Sequence, residues 1–303
     1  MVLFMVLCLL VFLLCLCFPE ISGSGIKNGL TLITGQVLPA LYPFILLTTL
    51  FKYLVIHNNK YRFMPIFIGF LSGYPLGAKV AADYDDAAEK SLTAQSVLLI
   101  CNNPSPAYMI SFVGLHCLED PSLGIRMYAA IIAGNLVTGL LFGTFGKRYA
   151  RNKKTARAQT AQHTSLYRKI NTYSASVQPP SSASLLDRVI HDTFTIIINI
   201  SSYILIFSVA AAFIQKIFFL PPIIQGIFAG ILEMTTGIQI LTAQSMALNI
   251  KLLLMTGLVS FGGLSVMAQT NSMISGSSLS IKKYITEKAI AVTIAVSVMY
   301  III

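Results

Sequence analysis

Eight stretches of this chain, near residues 2–18, 36–56, 91–113, 122–146, 193–214, 223–241, 246–268 and 285–303, are apolar enough to enter a bilayer. About 20 residues at a 1.5 Å rise cross a hydrocarbon core of about 30 Å, so these runs have the length of membrane spans. Only 11% of the 303 residues are charged and 55% are hydrophobic, against about 25% charged in a soluble domain. In lipid the backbone must satisfy its own hydrogen bonds, which leaves helices or closed barrels. Short alternating strands are missing from the pattern, so the expectation is an all-α polytopic membrane protein with about eight membrane helices.

The net charge of +10 is concentrated. Residues 147–192 hold nine of the 21 Lys and Arg, including "KRYARNKK", against two acids, Asp187 and Asp192. Between two spans the positive-inside rule reads this as a cytoplasmic loop, ahead of a nucleic-acid patch or attraction to anionic lipid headgroups. Its middle, "TYSASVQPPSSAS", is a Ser- and Pro-rich linker. The organisation expected is an N-terminal membrane half, 1–146, the basic loop, 147–192, and a C-terminal membrane half, 193–303. The first apolar run lacks a preceding Lys or Arg and an A-x-A site, and reads as a retained helix rather than a signal peptide.

The two halves share a pattern of interruption. "GFLSGYPLG" starts at Gly69, and Asn102 of "CNNPSPA" follows 33 residues later; "GILEMTTG" starts at Gly230, and Gly262 of "SFGGLSVMAQT" follows 32 residues later. Each half thus has a broken polar segment, an apolar helix and a second break, as in transporters built from two inverted pseudo-repeats with broken or re-entrant segments. Pro75 removes a donor and restricts Tyr74, which favours an unwound section around Ser72–Pro75 over a helix carrying Gly69, Gly73 and Gly77 as a packing stripe. Asn102, Asn103, Pro104, Ser105 and Pro106 interrupt an uncharged run, either as a kink whose amides cap their own backbone or as a discontinuous helix facing a ligand.

Glu233 is the only charged side chain between Lys216 and Lys251. It reads as an ion-coupling carboxylate, or as a structural one bonded to Thr235, Thr236 or backbone. Lys79 and Lys251 stand near span ends, where snorkelling competes with pairing to Glu233 or contact with an anion. The five cysteines show no C-x-x-C spacing and the four histidines no H-E-x-x-H pair, so metal chemistry has no support. Nor does any nucleophile–base constellation stand out; neither an enzyme nor a cofactor is expected, and a coupling H+ or Na+ is the only ion called for.

The motifs "NGLTLITGQVLPALYPFILLTTLF", "GFLSGYPLGAK", "CNNPSPAYMISFVG", "LEMTTGI" and "SFGGLSVMAQ", in this order, resemble the sporulation integral membrane protein family YlbJ, also called SpoVV, within the group carrying the nucleoside-recognition "gate" domain. The likeness runs over most of residues 29–300; the 147–192 loop has no counterpart in it. The resemblance implies a multi-pass protein of the bacterial inner membrane or forespore membrane. Its architecture would be similar to concentrative nucleoside transporters, and its cargo dipicolinate, a small aromatic dianion. Carried onto this chain, the site would comprise Ser72, Gly73, Tyr74, Pro75 and Gly77; Asn102, Asn103, Pro104, Ser105 and Pro106; Thr235, Thr236 and Gly237; and Gly262, Gly263 and Ser265. Glu233 would couple the ion and Lys79 would contact the anion. The partners expected are the lipid bilayer and the solute, with room for a homo-oligomer. The competing readings are a gate-domain protein that serves spore formation as a structural or signalling partner, and a nucleoside transporter.

Overall fold

The computed structural model describes residues 13–55, 64–85, 93–153, 182–217 and 220–303. The start of the first apolar run and the middle of the basic loop lie outside the described residues. Everything regular within them is helical. In chain order the elements are α1 (Pro19–Leu32), continued through a π-helical turn (Ile33–Val37) into α2 (Leu38–Val55), α3 (Met64–Ser72), α4 (Leu76–Asp85), α5 (Ala94–Cys101), the π-helical segment (Tyr108–Cys117), α6 (Pro121–Lys153), α7 (Ser182–Ile217), α8 (Pro222–Leu232), α9 (Met234–Thr242), α10 (Leu248–Phe261), α11 (Gly263–Met273) and α12 (Ile281–Ile302).

Among the described residues, four stretches are long and apolar enough to cross a membrane: Pro121–Gly143, Leu185–Lys216, Leu248–Met273 and Ile281–Ile302. The expected eight spans are therefore not reproduced as eight long helices. The run at 91–113 is divided by its Asn-Pro break into α5 and the π-helical segment. The run at 223–241 folds back on itself instead of continuing across. Gly237 of α9 packs against the backbone of Gly226 and Gly230 in α8, which makes the pair a helical hairpin with Glu233 at its tip. A membrane segment of this kind is short because its two halves share the depth that one helix would otherwise cross.

The first half repeats the design. Gly69 of α3 faces Val80 of α4 across a hairpin whose tip is Gly73–Pro75. Gly73 holds φ +74°, a left-handed geometry that costs glycine little, and the Tyr74–Pro75 peptide is cis. Each hairpin is followed by a broken helix: α5 and the π-helical segment in the first half, α10 and α11 in the second. The second break is two consecutive left-handed glycines, Gly262 and Gly263, with φ +84° and +77°.

Each hairpin tip is locked to the broken helix of its own half. The positions of the Gly73 and Gly77 side chains are filled by backbone at Cys101–Ser105, and that of Gly263 by the carbonyls of Gly230, Ile231 and Leu232. Tyr74 N donates to Asn103 O at 2.7 Å across the first contact. Around these cores, α12 runs between α6 and α10, while α7 packs on α1, α2, α8 and α11. Buried Met127, Ile131, Ile238, Met255, Val259 and Met299 tie the second hairpin and α10 to α6 and α12.

A methyl group at Gly77 has no space to enter, whereas Gly23 in α1 faces nothing within 4 Å. Gly77→Ala is expected to destabilise the purified protein by about 1–3 kcal/mol or more, and Gly23→Ala to leave it unchanged. Thermal unfolding in detergent, followed by size-exclusion yield, measures both.

Candidate functional site

Four backbone interruptions approach one another, and side-chain hydrogen bonds cross between the halves where they do. The Tyr74 hydroxyl, at the first hairpin tip, donates to Ser260 O near the end of α10 at 3.2 Å. Tyr108, just past the break in the first broken helix, has its hydroxyl 3.4 Å from the Thr235 hydroxyl in the second hairpin. Asn102 donates through Nδ2 to Thr270 of α11 at 2.8 Å and to the Tyr284 hydroxyl of α12 at 2.9 Å.

Between them lies a cavity of about 60 Å³, lined by Tyr74, by Pro104, Ser105, Tyr108 and Phe112, by Glu233, Met234 and Thr235, by Ser265, Val266 and Gln269, and by Ile200 and Ile204 of α7. Residues of helix first turns recur in this wall. Met234 and Thr235 open α9, Ser265 and Val266 belong to the start of α11, and Tyr108 begins the π-helical segment. Such first turns carry amides without intrahelical acceptors and a partial positive charge. The remaining wall is aromatic and aliphatic. The chemistry offered is that of a small, partly apolar solute with oxygen acceptors.

Of the residues expected to form a site, Tyr74, Pro104, Ser105, Thr235 and Ser265 line the cavity, together with Glu233. Ser105 Oγ accepts from Tyr108 N at 3.1 Å and so caps the helix that follows the break. Asn102 and Asn103 are fully buried just behind the wall. Asn103 Nδ2 donates to Ile100 O, retying the carbonyl that the break frees. Ser72, Gly73, Pro75, Gly77, Pro106, Thr236, Gly237, Gly262 and Gly263 shape the tips and breaks without lining the cavity.

Glu233 takes the structural one of the two readings its position allows. It borders the cavity, and its carboxylate caps α9: Oε1 accepts from Thr235 N at 3.0 Å, and Oε2 from Thr236 N at 2.7 Å and Thr236 Oγ1 at 2.8 Å. The structural alternative, a carboxylate held by Thr235 and Thr236, is the arrangement present. The positive end of α9 compensates the buried charge. Lys79 stands elsewhere: its ammonium is 2.9 Å from Asp83, one helical turn away on a half-exposed face. It does not line the cavity. Lys251 donates to Thr242 O at 2.8 Å, a carbonyl at the end of α9.

Three buried groups near the site were not expected. Lys288 on α12 and Asn135 on α6 are fully buried, and Glu287 is 2% exposed. Lys288 Nζ donates to Asn102 O at 3.2 Å, Asn103 Oδ1 at 3.3 Å and Asn135 Oδ1 at 3.0 Å. The signal was available: Glu287 and Lys288 lie inside the apolar run at 285–303. A charged pair close to the start of a span is easily taken for an interfacial one, and the backbone breaks drew attention elsewhere.

Removing the α9 cap leaves two amides without their acceptor. Glu233→Ala is expected to cost about 1–2 kcal/mol, and Glu233→Ser, which keeps a capping oxygen, to recover part of it. Thermal midpoints of the three purified proteins decide this.

No family model matches the chain, and no solved structure matches it. The chain is 24% identical over 314 residues to the sporulation integral membrane protein YlbJ of Bacillus subtilis (strain 168), a match spanning 88% of this chain and 74% of that protein. The chain is a multi-pass cell-membrane protein similar to this sporulation protein, whose family its five motifs resemble.

Proposed function

We propose that this chain is a secondary transporter of the spore-forming pathway that moves a small aromatic anion through the cavity between the four backbone breaks, with no bond-breaking chemistry. The observation that carries the reading is the convergence of both hairpin tips and both broken helices on one cavity walled by helix first turns. Broken helices around a central site are the recurrent architecture of secondary transporters, where half-helix N-termini face anionic groups and irregular backbone is tolerated because it lines a cavity. A purely structural partner would gain nothing from polar breaks held apart around a space.

Dipicolinate, the solute that the family resemblance implies, fits the composition of the wall. Its ring suits Tyr74, Tyr108 and Phe112, and its carboxylates suit amides at the start of α11 and the hydroxyls of Ser105 and Ser265. One water needs about 10–15 Å³ of such space. A cavity of about 60 Å³ therefore holds about four to six waters and not a substituted ring. The conformation described is accordingly a contracted one, and entry of the solute requires a wall to move, as alternating access does.

Uptake of radiolabelled dipicolinate into proteoliposomes, with uridine as comparison, tests this. The wild-type chain is expected to show saturable dipicolinate uptake, Ser265→Leu to lose it by filling the cavity, and Leu264→Ala, on the exposed face of the same turn, to retain it. Saturable uridine uptake in place of dipicolinate would make the cargo a nucleoside. If neither solute moved while the protein remained folded, transport would fail as the function.

A further inference from the structure

Lys288 lies in the body of a membrane-crossing helix with none of its side chain exposed. Its three hydrogen bonds end on a backbone carbonyl and two side-chain amides, all neutral. The faces of Tyr74 and Tyr284 complete the surroundings, with ring centroids 5.3 and 5.8 Å from Nζ. Among the described residues no carboxylate pairs with it. Glu287, its neighbour in sequence, is turned to Gln95 at 3.4 Å and Lys283 at 3.5 Å. A buried cation without a counter-ion is expensive, and a neutral amide would tie the same elements together at lower cost. Asn102 adds a second irregularity, because its Oδ1 is buried with no hydrogen-bond partner.

We propose that Lys288 is the proton carrier of the transport site: its ammonium is the counter-charge for an anionic solute in the cavity, and loss of its proton loosens the Asn102–Ser105 break. The inference rests on the transport reading above and assigns the coupling ion as a proton and its carrier as Lys288, in place of Glu233. An ammonium has three N–H groups, and here each has an acceptor. A neutral amine has two and a lone pair, so deprotonation withdraws the lysine donor from one of Asn102 O, Asn103 Oδ1 and Asn135 Oδ1 and turns a lone pair towards it; of the three, Asn102 O keeps the Tyr284 hydroxyl at 3.3 Å. The cage thus distinguishes the two protonation states at the first-half break itself.

The same charge reaches the cavity through shared walls. Tyr74 has its ring over Lys288 and lines the cavity, and Asn103 adjoins Pro104 and Ser105, which line it too. An anion in the cavity favours the protonated lysine, and by reciprocity the protonated lysine favours the anion. The groups able to compete are few. The phenols of Tyr74 and Tyr284 face the ammonium, the Cys101 thiol precedes Asn102, and Glu287 is engaged on the other side of the helix. Of the packed neighbours, α5 and α11 carry no charged side chain, α6 none between Arg126 and Lys147, and α10 only Lys251, which is bound to Thr242 O. The proton that enters with the solute binds the amine and leaves from the ammonium, and no other bond changes.

Proteoliposomes with a pH-sensitive dye in the lumen test the assignment with dipicolinate as the probe, comparing the wild type, Lys288→Arg and Lys288→Met. An inward proton gradient should drive accumulation by the wild type, and dipicolinate entry should acidify the lumen. Arginine keeps the charge and does not deprotonate in proteins. Lys288→Arg should therefore retain exchange of labelled for unlabelled dipicolinate at equal pH and lose accumulation driven by the gradient. Lys288→Met should need more dipicolinate to half-saturate exchange. Accumulation by Lys288→Arg up to the wild-type level, or wild-type entry without acidification, overturns the proton-carrier role and leaves transport standing. Absence of both uptake and exchange in the wild type overturns the two together. The luminal pH of the wild type decides the matter even if Lys288→Met does not fold.

Discussion

Every break in a membrane helix frees amides and carbonyls that lipid cannot satisfy, and the architecture follows from that one requirement. The freed groups must meet other protein, and here they meet the other breaks. Tyr74 N is bonded to Asn103 O, so one interruption satisfies the next. Glu233 supplies two acceptors to the amides at the start of α9, and Ser105 one to the helix that follows its own break. The glycines at 73, 77, 237 and 263 let backbones approach closely enough for this mutual satisfaction. A cavity at the centre is the consequence: irregular backbone collects in one place, and helix starts collect with it.

Charge is distributed on the same principle. The carboxylate that borders the cavity is compensated by the N-terminus of α9, so it does not impose a negative potential on the space beside it to the extent an uncapped one would. The Lys288 ammonium, against the Tyr74 ring of the wall, has only neutral partners, so its charge is not cancelled locally. The two buried charges are therefore unequal in what they present to a solute. That inequality favours an anion, although a carboxylate and no cationic side chain lines the cavity.

What the sequence made legible was backbone geometry. Gly, Pro and Asn in an apolar run announce that a helix cannot continue, and the breaks at Gly73–Pro75, Asn102–Ser105 and Gly262–Gly263 stand where those residues are, while the turn at Glu233 stands at the one charge of its run. Apolarity alone did not reveal whether a run crosses or turns back, since residues 223–241 have the composition of a span and form a hairpin. Lys79, for which snorkelling competed with contact to an anion, is paired with Asp83 one turn later on a half-exposed face. Lys288 went unnoticed because its partners, Asn102, Asn103 and Asn135, are 153 to 186 residues away in sequence. Its burial is a property of packing between α6, α12 and the first break, which no local pattern encodes.

The walls of the cavity are not equally committed. The two hairpins and two broken helices are tied by hydrogen bonds that cross between halves, through Tyr74, Asn102 and Tyr108, and by backbone contacts that leave no space for a methyl group. Ile200 and Ile204 of α7 bring only apolar surface to the same space. Sliding that wall in lipid breaks no hydrogen bond at those side chains, and apolar surface exposed there meets acyl chains instead of water. Separating the polar breaks, by contrast, strands donors and acceptors in a medium with nothing to receive them. On the proposed transport reading, enlargement of the cavity for a ring-sized solute is therefore least costly on the α7 side, while the polar joints would move as units whose state the proton on Lys288 would set.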